Sequence, residues 1–288
     1  MRRRNLAPYL FLAPNLVLFA VFVLYPALNG VNISLYDSTN GRTFRFVGTR
    51  NYRELVGTDA FREAITNTAV FVACFVVLAT VVAVGLAALL QRGLPGSGFY
   101  RAVFFVPVLL SPIVVGLVWS WLLERRGGLV NTALGAVGLP EPGWLIDPSL
   151  TMGVSVFVAV WLHVGLYTLI VLAALRAIDP RTLEAATMDG ASARQRFWHV
   201  TLPQIQPSVL VVVIVSTVDG FKTFDLLYTL TGGGPVGATT LLLQYVYEQA
   251  FKPPIRYGLA AAGSVVLFLV ILAVTVVQFV VARRRELL

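Results

Sequence analysis

The stretch DPRTLEAATMDGASARQRFWHVTLPQIQP, residues 179 to 207, decides how the chain is organised. Its charged residues alternate with small ones, and a long, mainly apolar run lies on either side of it. Asp179 is typical of a helix N-cap, and Pro180 suits the first helical position, where its missing N–H costs nothing. Gly190 predicts the end of this helix because glycine readily terminates helices. The stretch therefore begins with a short, well-delimited helix.

A second short helix follows directly in the sequence. Ser192 and Gln195 have the spacing of a capping box, in which each side chain satisfies a backbone group near the helix start. We expect this helix to run through Val200 and to end at Leu202-Pro203, and Pro207 to begin the next apolar helix. The product is a helical hairpin, residues 179–203, between two apolar runs.

The rest of the chain has the composition of a membrane protein. Hydrophobic residues make up 57% of its 288 positions, charged residues 12%, and the mean hydropathy is +0.80. A bilayer core about 30 Å thick needs about 20 apolar residues per helix. Six runs of about that length occur, and they are apolar on every face: Tyr9–Leu28, Ala69–Leu90, Ala102–Leu123, Met152–Ala174, Ser208–Leu227 and Gly258–Val281. We predict an all-α polytopic membrane protein with six transmembrane helices in a single domain, residues 1–288.

The basic residues predict the orientation of these helices. The side that holds both termini and the hairpin carries twelve arginines and four carboxylates, whereas the other side carries nine basic residues and eight carboxylates. Because lysine and arginine accumulate on the cytoplasmic side, both termini and the hairpin are expected in the cytoplasm. The basic residues are dispersed at helix ends, so nucleic-acid binding is not expected. The first apolar run is too long for a cleaved signal peptide, and we expect it to stay as a helix.

The segments between the helices carry weaker signals. Residues 31–65 have the turn residues of a small outer cap, and Trp144 is expected to anchor the chain at the membrane interface. Pro107 and Pro112 predict kinks in the third helix, which suit either a cavity and a moving part or simply the helix shape in a packed bundle. The segment from Thr231 to Phe251 is a candidate for an outer docking surface.

The hairpin carries the residues that we expect to contact another protein. Small residues permit close backbone approach, and the two carboxylates can pair with a partner's charges. An amphipathic hairpin lying on the membrane without a partner remains the alternative. The candidate contact residues are Glu184, Ala185, Ala186, Asp189 and Gly190.

Three charges are predicted in the fifth helix. Asp219, Lys222 and Asp225 follow one another at i, i+3 spacing and would share a face, with Asp219 about midway along the helix. Such groups are costly in a bilayer and usually face a protein interior or a water-filled cavity. They either form a self-compensating cluster or line a polyol pathway together with Phe224 and Tyr228, since sugars need hydrogen bonds and ring stacking.

The fourth helix adds Trp161, His163 and Tyr167 to the candidate pathway. His163 could relay protons, but no carboxylate lies on the same helix, so packing or a hydrogen bond is favoured. The histidines, the single cysteine and the scattered carboxylates match no metal or catalytic spacing, so no metal site and no enzyme activity are expected. Both lysines follow phenylalanine, so the G-x-x-x-x-G-K-[ST] loop that binds nucleotide phosphates is missing. An ATP-driven pump would therefore need its ATPase on another polypeptide.

Several motifs in order resemble the binding-protein-dependent ABC import permeases. The hairpin has Glu184-Ala185-Ala186, three residues, Gly190, nine residues, Val200, one residue and Leu202-Pro203, with valine where the family has isoleucine. Further likeness to carbohydrate permeases of the type-I importer class lies in FLAPNLVLFAVFVLYPALNGVNISLYD, WLID, EAATMDGAS, FKTFDLLYTLTGGGP, YEQAF and YGLAAAGS. The chain resembles the compact six-helix members, which have no large outer domain.

The resemblance implies a function and a set of partners. It implies a permease subunit of a sugar importer, in which the hairpin forms coupling helices that dock into a cleft on a cytoplasmic ATPase. It also implies a second permease subunit, an extracytoplasmic solute-binding protein, surrounding membrane lipids, and ATP with Mg bound by the ATPase rather than by this chain. The expected location is a bacterial or archaeal cytoplasmic membrane. Two alternatives stay open: import of another solute, such as a glycerophosphodiester or an oligopeptide, and an ion-gradient-driven transporter that uses His163 and Asp219.

Overall fold

The computed structural model describes residues 7–91 and 103–284, with side chains from Leu12 onward. The three arginines near the N-terminus, the predicted turn that leads to Arg101, and Arg285 lie outside the described residues. Within them the chain is helical: α1 (Ala7–Phe19), α2 (Tyr25–Ile33), α3 (Arg50–Gly57), α4 (Asp59–Gln91), α5 (Pro112–Leu122), α6 (Leu129–Ala136), α7 (Pro148–Ala177), α8 (Pro180–Met188), α9 (Ala193–Arg196), α10 (Leu202–Lys222), α11 (Asp225–Leu230), α12 (Leu242–Phe251) and α13 (Tyr257–Arg284). Two short strands, β1 (Tyr36–Asp37) and β2 (Arg45–Phe46), pair antiparallel.

Among the described residues, five helical stretches are long and apolar enough to cross a membrane. They are Leu12–Ile33, Asp59–Gln91, Pro148–Ala177, Ala193–Lys222 and Tyr257–Arg284. Each overlaps a predicted run, and most are longer than predicted because polar residues at both ends continue the same helix. At about 1.5 Å per residue, a 30-residue helix such as α7 is longer than the ~30 Å hydrocarbon core.

The third predicted helix is broken in the structure. Val103–Leu109 and α5 meet at an angle of 116°, so they form either one broken span or a re-entrant loop. Pro107 lies in the 3₁₀ turn Val106–Leu109, and Pro112 is the first residue of α5. The predicted bends at Pro107 and Pro112 are thus present, but the helix is broken rather than only kinked. Each proline lies in the first two positions of its helical segment, where its missing N–H costs little.

The fifth predicted helix is wrong at both ends. It begins at Ala193 rather than near Pro207, because α9 continues through the π-turn Phe197–Thr201 into α10. It ends at Lys222 rather than Leu227, because Thr223 is extended (φ −63°, ψ 114°). The Thr223 hydroxyl donates to the Asp219 carbonyl at 2.9 Å, and α11 starts anew at Asp225. Neither glycine nor proline lies at this break. The prediction, which followed hydropathy, therefore extended the helix across it.

The chain divides into two compact units. One comprises the residues up to Arg62 together with Tyr245–Leu269, and the other comprises Glu63–Gln244 together with the residues from Val270 onward. The single permease domain expected over residues 1–288 stays a prediction.

In the first unit, segments far apart in sequence are tied by polar contacts. The buried Asn51 amide donates to the carbonyls of Ser34 and Tyr36 at 2.8 and 2.9 Å. Arg256 forms a bidentate ion pair with Glu54, and its second nitrogen lies 2.7 Å from the carboxylate. The guanidinium holds the pKa of Glu54 below its usual value and has its own pKa raised in turn. The predicted small cap over residues 31–65 is thus a two-stranded hairpin followed by α3.

The core of the second unit is formed by α4, α7 and α10. Phe71 and Phe75 stack along α4 with ring centroids 5.8 Å apart, and both are fully buried. Gly220 of α10 packs on the same face, where an added Cβ would lie 3.2 Å from the Phe75 ring. Of the spanning stretches, α7 is the most enclosed, with 61% of its apolar window buried.

Candidate functional site

The hairpin begins as its sequence predicts. The Asp179 carboxylate accepts a hydrogen bond from the backbone N–H of Arg181 at 2.9 Å, and Pro180 is the first residue of α8. This arrangement satisfies one of the N–H groups that lack a partner at every helix start. The N-cap prediction is confirmed.

The turn between the two hairpin helices is stabilised entirely by local contacts. Gly190 has φ +79°, and its N–H donates to the Thr187 carbonyl at 3.0 Å, while the Ala191 N–H donates to the Ala186 carbonyl at 3.0 Å. This pair of bonds is a Schellman motif, which needs a left-handed residue at the position of Gly190. The predicted helix end is therefore confirmed, with a physical reason for glycine.

The second hairpin helix starts with the predicted capping box. The Ser192 N–H donates to Gln195 Oε1 at 2.9 Å, and the Gln195 N–H donates to Ser192 Oγ at 3.4 Å. The prediction that Leu202-Pro203 ends this helix is wrong. Pro203 lies in the first turn of α10, directly after a π-turn, and the helix passes it without a break. The hairpin is thus one end of the 30-residue stretch Ala193–Lys222.

The candidate contact residues reach the surface. No residue of α8 is buried. Four of the candidates are exposed, namely Glu184, Ala185, Asp189 and Gly190, and Ala186 is half-buried. Beneath them lies a groove of about 460 Å³ against the end of α4, lined among others by Gln91, Leu183, Glu184 and Arg196. The surface therefore combines small residues, carboxylates and a concave edge.

Tyr167 and Asp219 of the candidate pathway meet between two helices. The Tyr167 hydroxyl donates to Asp219 Oδ2 at 2.9 Å and so joins α7 to α10. Tyr167 is fully buried, and the His163 ring stacks on it at 6.3 Å. His163 Nδ1 donates to the Ala159 carbonyl at 2.9 Å, because a carbonyl can only accept. Intrahelical bonding of this kind orients the imidazole within the packed core.

The other candidate pathway residues make contacts of their own. Trp161 contacts Trp119 at 5.6 Å, and the rings of Phe224 and Tyr228 lie 5.1 Å apart. Lys222 is exposed at the last position of α10, and Asp225 is exposed at the first position of α11. The prediction that Asp219, Lys222 and Asp225 share one helix face is wrong, since the helix ends between them. Asp219 lies one turn from that end rather than midway along the helix.

Two residues at this helix crossing were not predicted from the sequence. Phe75 packs edge-on against His163 and Tyr167, with centroids 5.6 and 6.4 Å apart, and Gly220 lets α10 approach it. Phe71, Phe75, Ala79, Ala83 and Ala87 repeat every four residues and are all fully buried, so the stripe itself is a signal for a packed face.

The chain matches a family of known membrane proteins over most of its length. Residues 79–287 match the family described as the binding-protein-dependent transport system inner membrane component. The chain belongs to this family. It is thus a permease subunit of a binding-protein-dependent transport system, located in the inner membrane, and the expected family is confirmed.

Relatives of the permease match it over nearly its whole length. It is 34% identical over 283 residues to the probable ABC transporter permease protein YurN of Bacillus subtilis, with 96% of each chain covered. It is 34% identical to the trehalose/maltose transport system permease protein MalF of Thermococcus litoralis, covering 96% of the permease and 94% of the relative. It is also 32% identical to the sn-glycerol-3-phosphate transport system permease protein UgpA of Agrobacterium fabrum, with 98% and 96% covered.

A solved structure supports the fold of the permease. A chain of the crystal structure of a bacterial alginate ABC transporter, in complex with alginate pentasaccharide-bound periplasmic protein, superposes with a TM-score of 0.84 at 21% identity. The match covers 98% of the permease and 96% of that chain. The all-α fold of an ABC importer permease is therefore confirmed.

Proposed function

We propose that this chain is the membrane-spanning permease subunit of an ATP-driven sugar importer. Its proposed partners are a second permease subunit, cytoplasmic ABC ATPase subunits that bind ATP and Mg, and an extracytoplasmic solute-binding protein. The substrate class is supported by relatives whose names specify trehalose and maltose, multiple sugars, or lactose. Both termini and the hairpin are proposed to be cytoplasmic, as the distribution of arginines favours.

The hairpin is the proposed contact with the ATPase. Its exposed carboxylates Glu184 and Asp189 can pair with basic groups, while Ala185 and Gly190 allow a close backbone approach. Caps at both of its helix starts stabilise the two helices locally, so the surface is preformed. Preformed surfaces bind without losing the entropy of ordering a loop.

The continuity of the helix that leaves the hairpin is the observation that carries the coupling proposal. Ala193–Lys222 is one helical stretch of 30 residues, about 45 Å long. A displacement of the hairpin by the ATPase would therefore move Asp219 and its hydrogen bond to Tyr167 at the far end. We propose that this helix transmits ATP-driven motion to the pathway.

The far end of that helix is the proposed substrate pathway. Asp219 and Tyr167 offer hydrogen-bonding groups, and Phe224 and Tyr228 offer aromatic faces just beyond the helix end. Trp161, His163 and Lys222 complete the proposed set. A sugar needs both polar and stacking contacts, which these residue types provide.

A second candidate function is import of a glycerol phosphate. It is favoured by the relative UgpA, which is 32% identical and is named for sn-glycerol-3-phosphate transport. An anionic substrate needs a cation in the pathway, and Lys222 is the lysine available at the end of α10. Replacement of Lys222 by methionine would then abolish transport of the anion, whereas sugar transport would keep most of its rate.

Reconstitution tests the proposed function. The complex is purified from membranes, its subunits are identified, and ATP hydrolysis is measured with binding protein loaded with candidate sugars or with glycerol 3-phosphate. We expect a sugar-loaded binding protein to stimulate hydrolysis and uptake. Uptake by this chain alone, driven by a proton gradient and indifferent to ATP, would contradict the proposal and support the ion-gradient alternative.

Two variants test the hairpin. Glu184→Lys reverses a charge, and Gly190→Trp adds bulk on the exposed turn, so both should leave membrane insertion intact and abolish ATPase association or coupling. Gly48→Trp is the matched control, because Gly48 also has positive φ (+57°) and open space around its Cβ position. If both hairpin variants transport normally, the docking role is wrong.

A further inference from the structure

The loop between α5 and α7 is a built structure with a buried amide at its centre. Asn131 of α6 is only 1% exposed, and its Nδ2 donates to the carbonyls of Arg125 and Pro142 at 3.2 and 3.0 Å. Its Oδ1 accepts from Trp144 Nε1 at 2.8 Å. One side chain thus fixes both arms of the loop and the orientation of the indole. This hydrogen bond holds the Trp144 indole in one orientation, a role that its sequence position did not indicate.

Two clefts of different polarity lie beside this tryptophan, and Trp144 and Leu123 line both of them. The first cleft, of about 560 Å³, is almost wholly apolar and is lined by Trp119, Gly153 and Phe157 among others. The second, of about 250 Å³, has a mixed lining with a larger polar share that includes Glu124 and Arg125, and we call it the polar cleft. The apolar cleft alone falls in the ~300–1,000 Å³ range of small-molecule sites. A ligand that fills both needs an apolar tail and a charged head.

The charges of the polar cleft indicate which head fits. Glu124 and Arg125 are consecutive, and within the described part of the chain neither side chain forms an ion pair. A cation and an anion that line the same cleft complement a zwitterion. Arginine binds phosphate oxygens well because its guanidinium offers several donors, and a carboxylate accepts N–H hydrogen bonds from an ammonium group.

The position of the clefts in the fold agrees with a lipid. They lie where α5 ends at Leu122 and α7 begins at Pro148, which is where apolar helices leave the hydrocarbon region. The apolar cleft follows the first turns of α7 as far as Phe157, which is 52% exposed. A lipid there would keep its chain along the helices and its headgroup at the level of the loop, as lipids in a bilayer do.

We propose that the paired clefts bind one phospholipid with a primary ammonium headgroup, of the phosphatidylethanolamine type. One of its two acyl chains occupies the apolar cleft, the phosphate binds Arg125, and the ammonium binds Glu124. The site is independent of the transported substrate and of which side of the membrane faces the cytoplasm.

Filling the apolar cleft tests where the chain binds. Gly153→Leu places a side chain into the cleft, and nothing lies within 4 Å of its Cβ position, so the substitution is compatible with the fold. The control is Gly85→Leu in α4. Gly85 is also an exposed helical residue, and nothing lies within 4 Å of its Cβ position. The permease complex is purified in mild detergent with phosphatidylethanolamine, and lipid adducts are counted by native mass spectrometry during stepwise delipidation. We expect the last retained lipid to be lost at roughly tenfold lower detergent exposure in Gly153→Leu, and unchanged retention in Gly85→Leu.

A second experiment tests the headgroup contacts by comparing lipids with different headgroups. Wild-type complex should retain phosphatidylethanolamine over phosphatidylglycerol, which lacks the ammonium, and over phosphatidylcholine, whose trimethylammonium has no N–H donor. Glu124→Gln should remove the preference over phosphatidylglycerol, and Arg125→Gln should weaken retention of all three lipids.

Three outcomes would overturn the proposal. Equal retention in Gly153→Leu and wild type would show that the chain lies elsewhere. Equal retention of the three lipids by wild type would exclude the assigned headgroup contacts. Loss of a protein subunit from the Gly153→Leu complex, with unchanged lipid count, would show that a partner chain covers the cleft. None of these outcomes bears on sugar transport or on ATPase docking.

Discussion

The hairpin at residues 179–203 and the buried crossing of α7 and α10 are stabilised in opposite ways. In the hairpin, caps and turn bonds join residues at most five positions apart, such as Asp179 to Arg181 and Ala191 to Ala186. At the crossing, Tyr167 and Asp219 are 52 positions apart and meet only because α7 packs on α10. The hairpin is therefore stabilised by contacts between near neighbours in sequence, and the crossing is stabilised by the packing of distant helices.

This difference indicates where the protein can tolerate change. The hairpin keeps its shape while its exposed residues are free to suit a partner, since no residue of α8 contributes to a core. The crossing has no such freedom, because Phe75, Gly220 and Tyr167 fill one another's space. The motion that we propose α10 transmits would therefore start from an adaptable surface and end in a tightly packed one.

The largest effect is expected from one substitution made at two sites on the same helix. In Gly165→Ala the new Cβ would lie 2.2 Å from the Phe104 carbonyl oxygen, whereas at Gly153 nothing lies within 4 Å. We expect Gly165→Ala to destabilise the permease by about 1–3 kcal/mol through overpacking. Gly153→Ala should instead stabilise α7 by about 0.5–1 kcal/mol, since alanine is the better helix former. Thermal unfolding in detergent measures both, and stabilisation by both would show that local propensity dominates here too.

The second-largest effect is expected from removing the hydrogen bond between Tyr167 and Asp219. Tyr167→Phe removes the donor to Asp219 and should cost about 1–2 kcal/mol, between values for bonds to charged groups in soluble proteins and the smaller average within membranes. Thr168→Val is the control, because the Thr168 hydroxyl bonds its own helix, at the Val164 carbonyl. A double-mutant cycle with Asp219→Asn isolates the pair. A coupling energy near zero would mean that packing alone fixes the crossing.

A smaller effect is expected at the hairpin turn. Gly190→Ala keeps open space around the new Cβ but forces alanine into φ +79°, which costs about 1 kcal/mol. The loss should stay local, so amide hydrogen exchange should accelerate in residues 187–195 while the unfolding temperature hardly moves. Gly85→Ala, in a regular helix with equal space, should not accelerate exchange in residues 187–195 and, like Gly153→Ala, should slightly raise the unfolding temperature. Global destabilisation by Gly190→Ala would contradict the local character of the hairpin.

The smallest effect is expected from the Glu54–Arg256 ion pair, which spans 202 positions but is about one-third exposed. Because the folded pKa of Glu54 lies below its ordinary value of 4.5, its contribution is complete above that pH and is lost as pH falls through the folded pKa. Exposed pairs contribute at most about 1 kcal/mol. Glu54→Gln should therefore lower stability at neutral pH by at most about 1 kcal/mol, flatten the acid side of the stability profile, and match the wild type at low pH. A loss at pH 7 as large as that of Tyr167→Phe would show that sequence separation outweighs burial.

Much of the fold could be predicted because its signals are local. Apolar runs identify the membrane helices, and Asp179, Pro180, Gly190, Ser192 and Gln195 define the hairpin through capping and turn preferences alone. The errors occurred where tertiary contacts decide. The helix runs past Pro203 because a π-turn precedes it, and it ends at Lys222 although neither Thr223 nor Phe224 is a helix breaker.

The candidate site divides along the same line. The hairpin surface followed from motif and caps, whereas the grouping of pathway residues assumed that the fifth helix continues to Leu227. The helix ends at Lys222, so Asp225 belongs to the next helix and does not share a face with Asp219. Asp219 instead accepts a hydrogen bond from Tyr167. The paired clefts beside Trp144 had no sequence signal, because Asn131 and Trp144 are linked only in the folded loop.

The sequence by itself determined that this protein is a helical membrane permease of its family, with a capped hairpin between two apolar helices. Hydropathy, capping and motif spacing are properties of neighbouring residues, so they survive without a fold. The tertiary structure alone decided which polar groups meet inside the membrane helices, where the third helix breaks by 116°, and which clefts open at their ends. Those outcomes depend on side chains far apart in sequence that compete for the same space, and packing settles that competition.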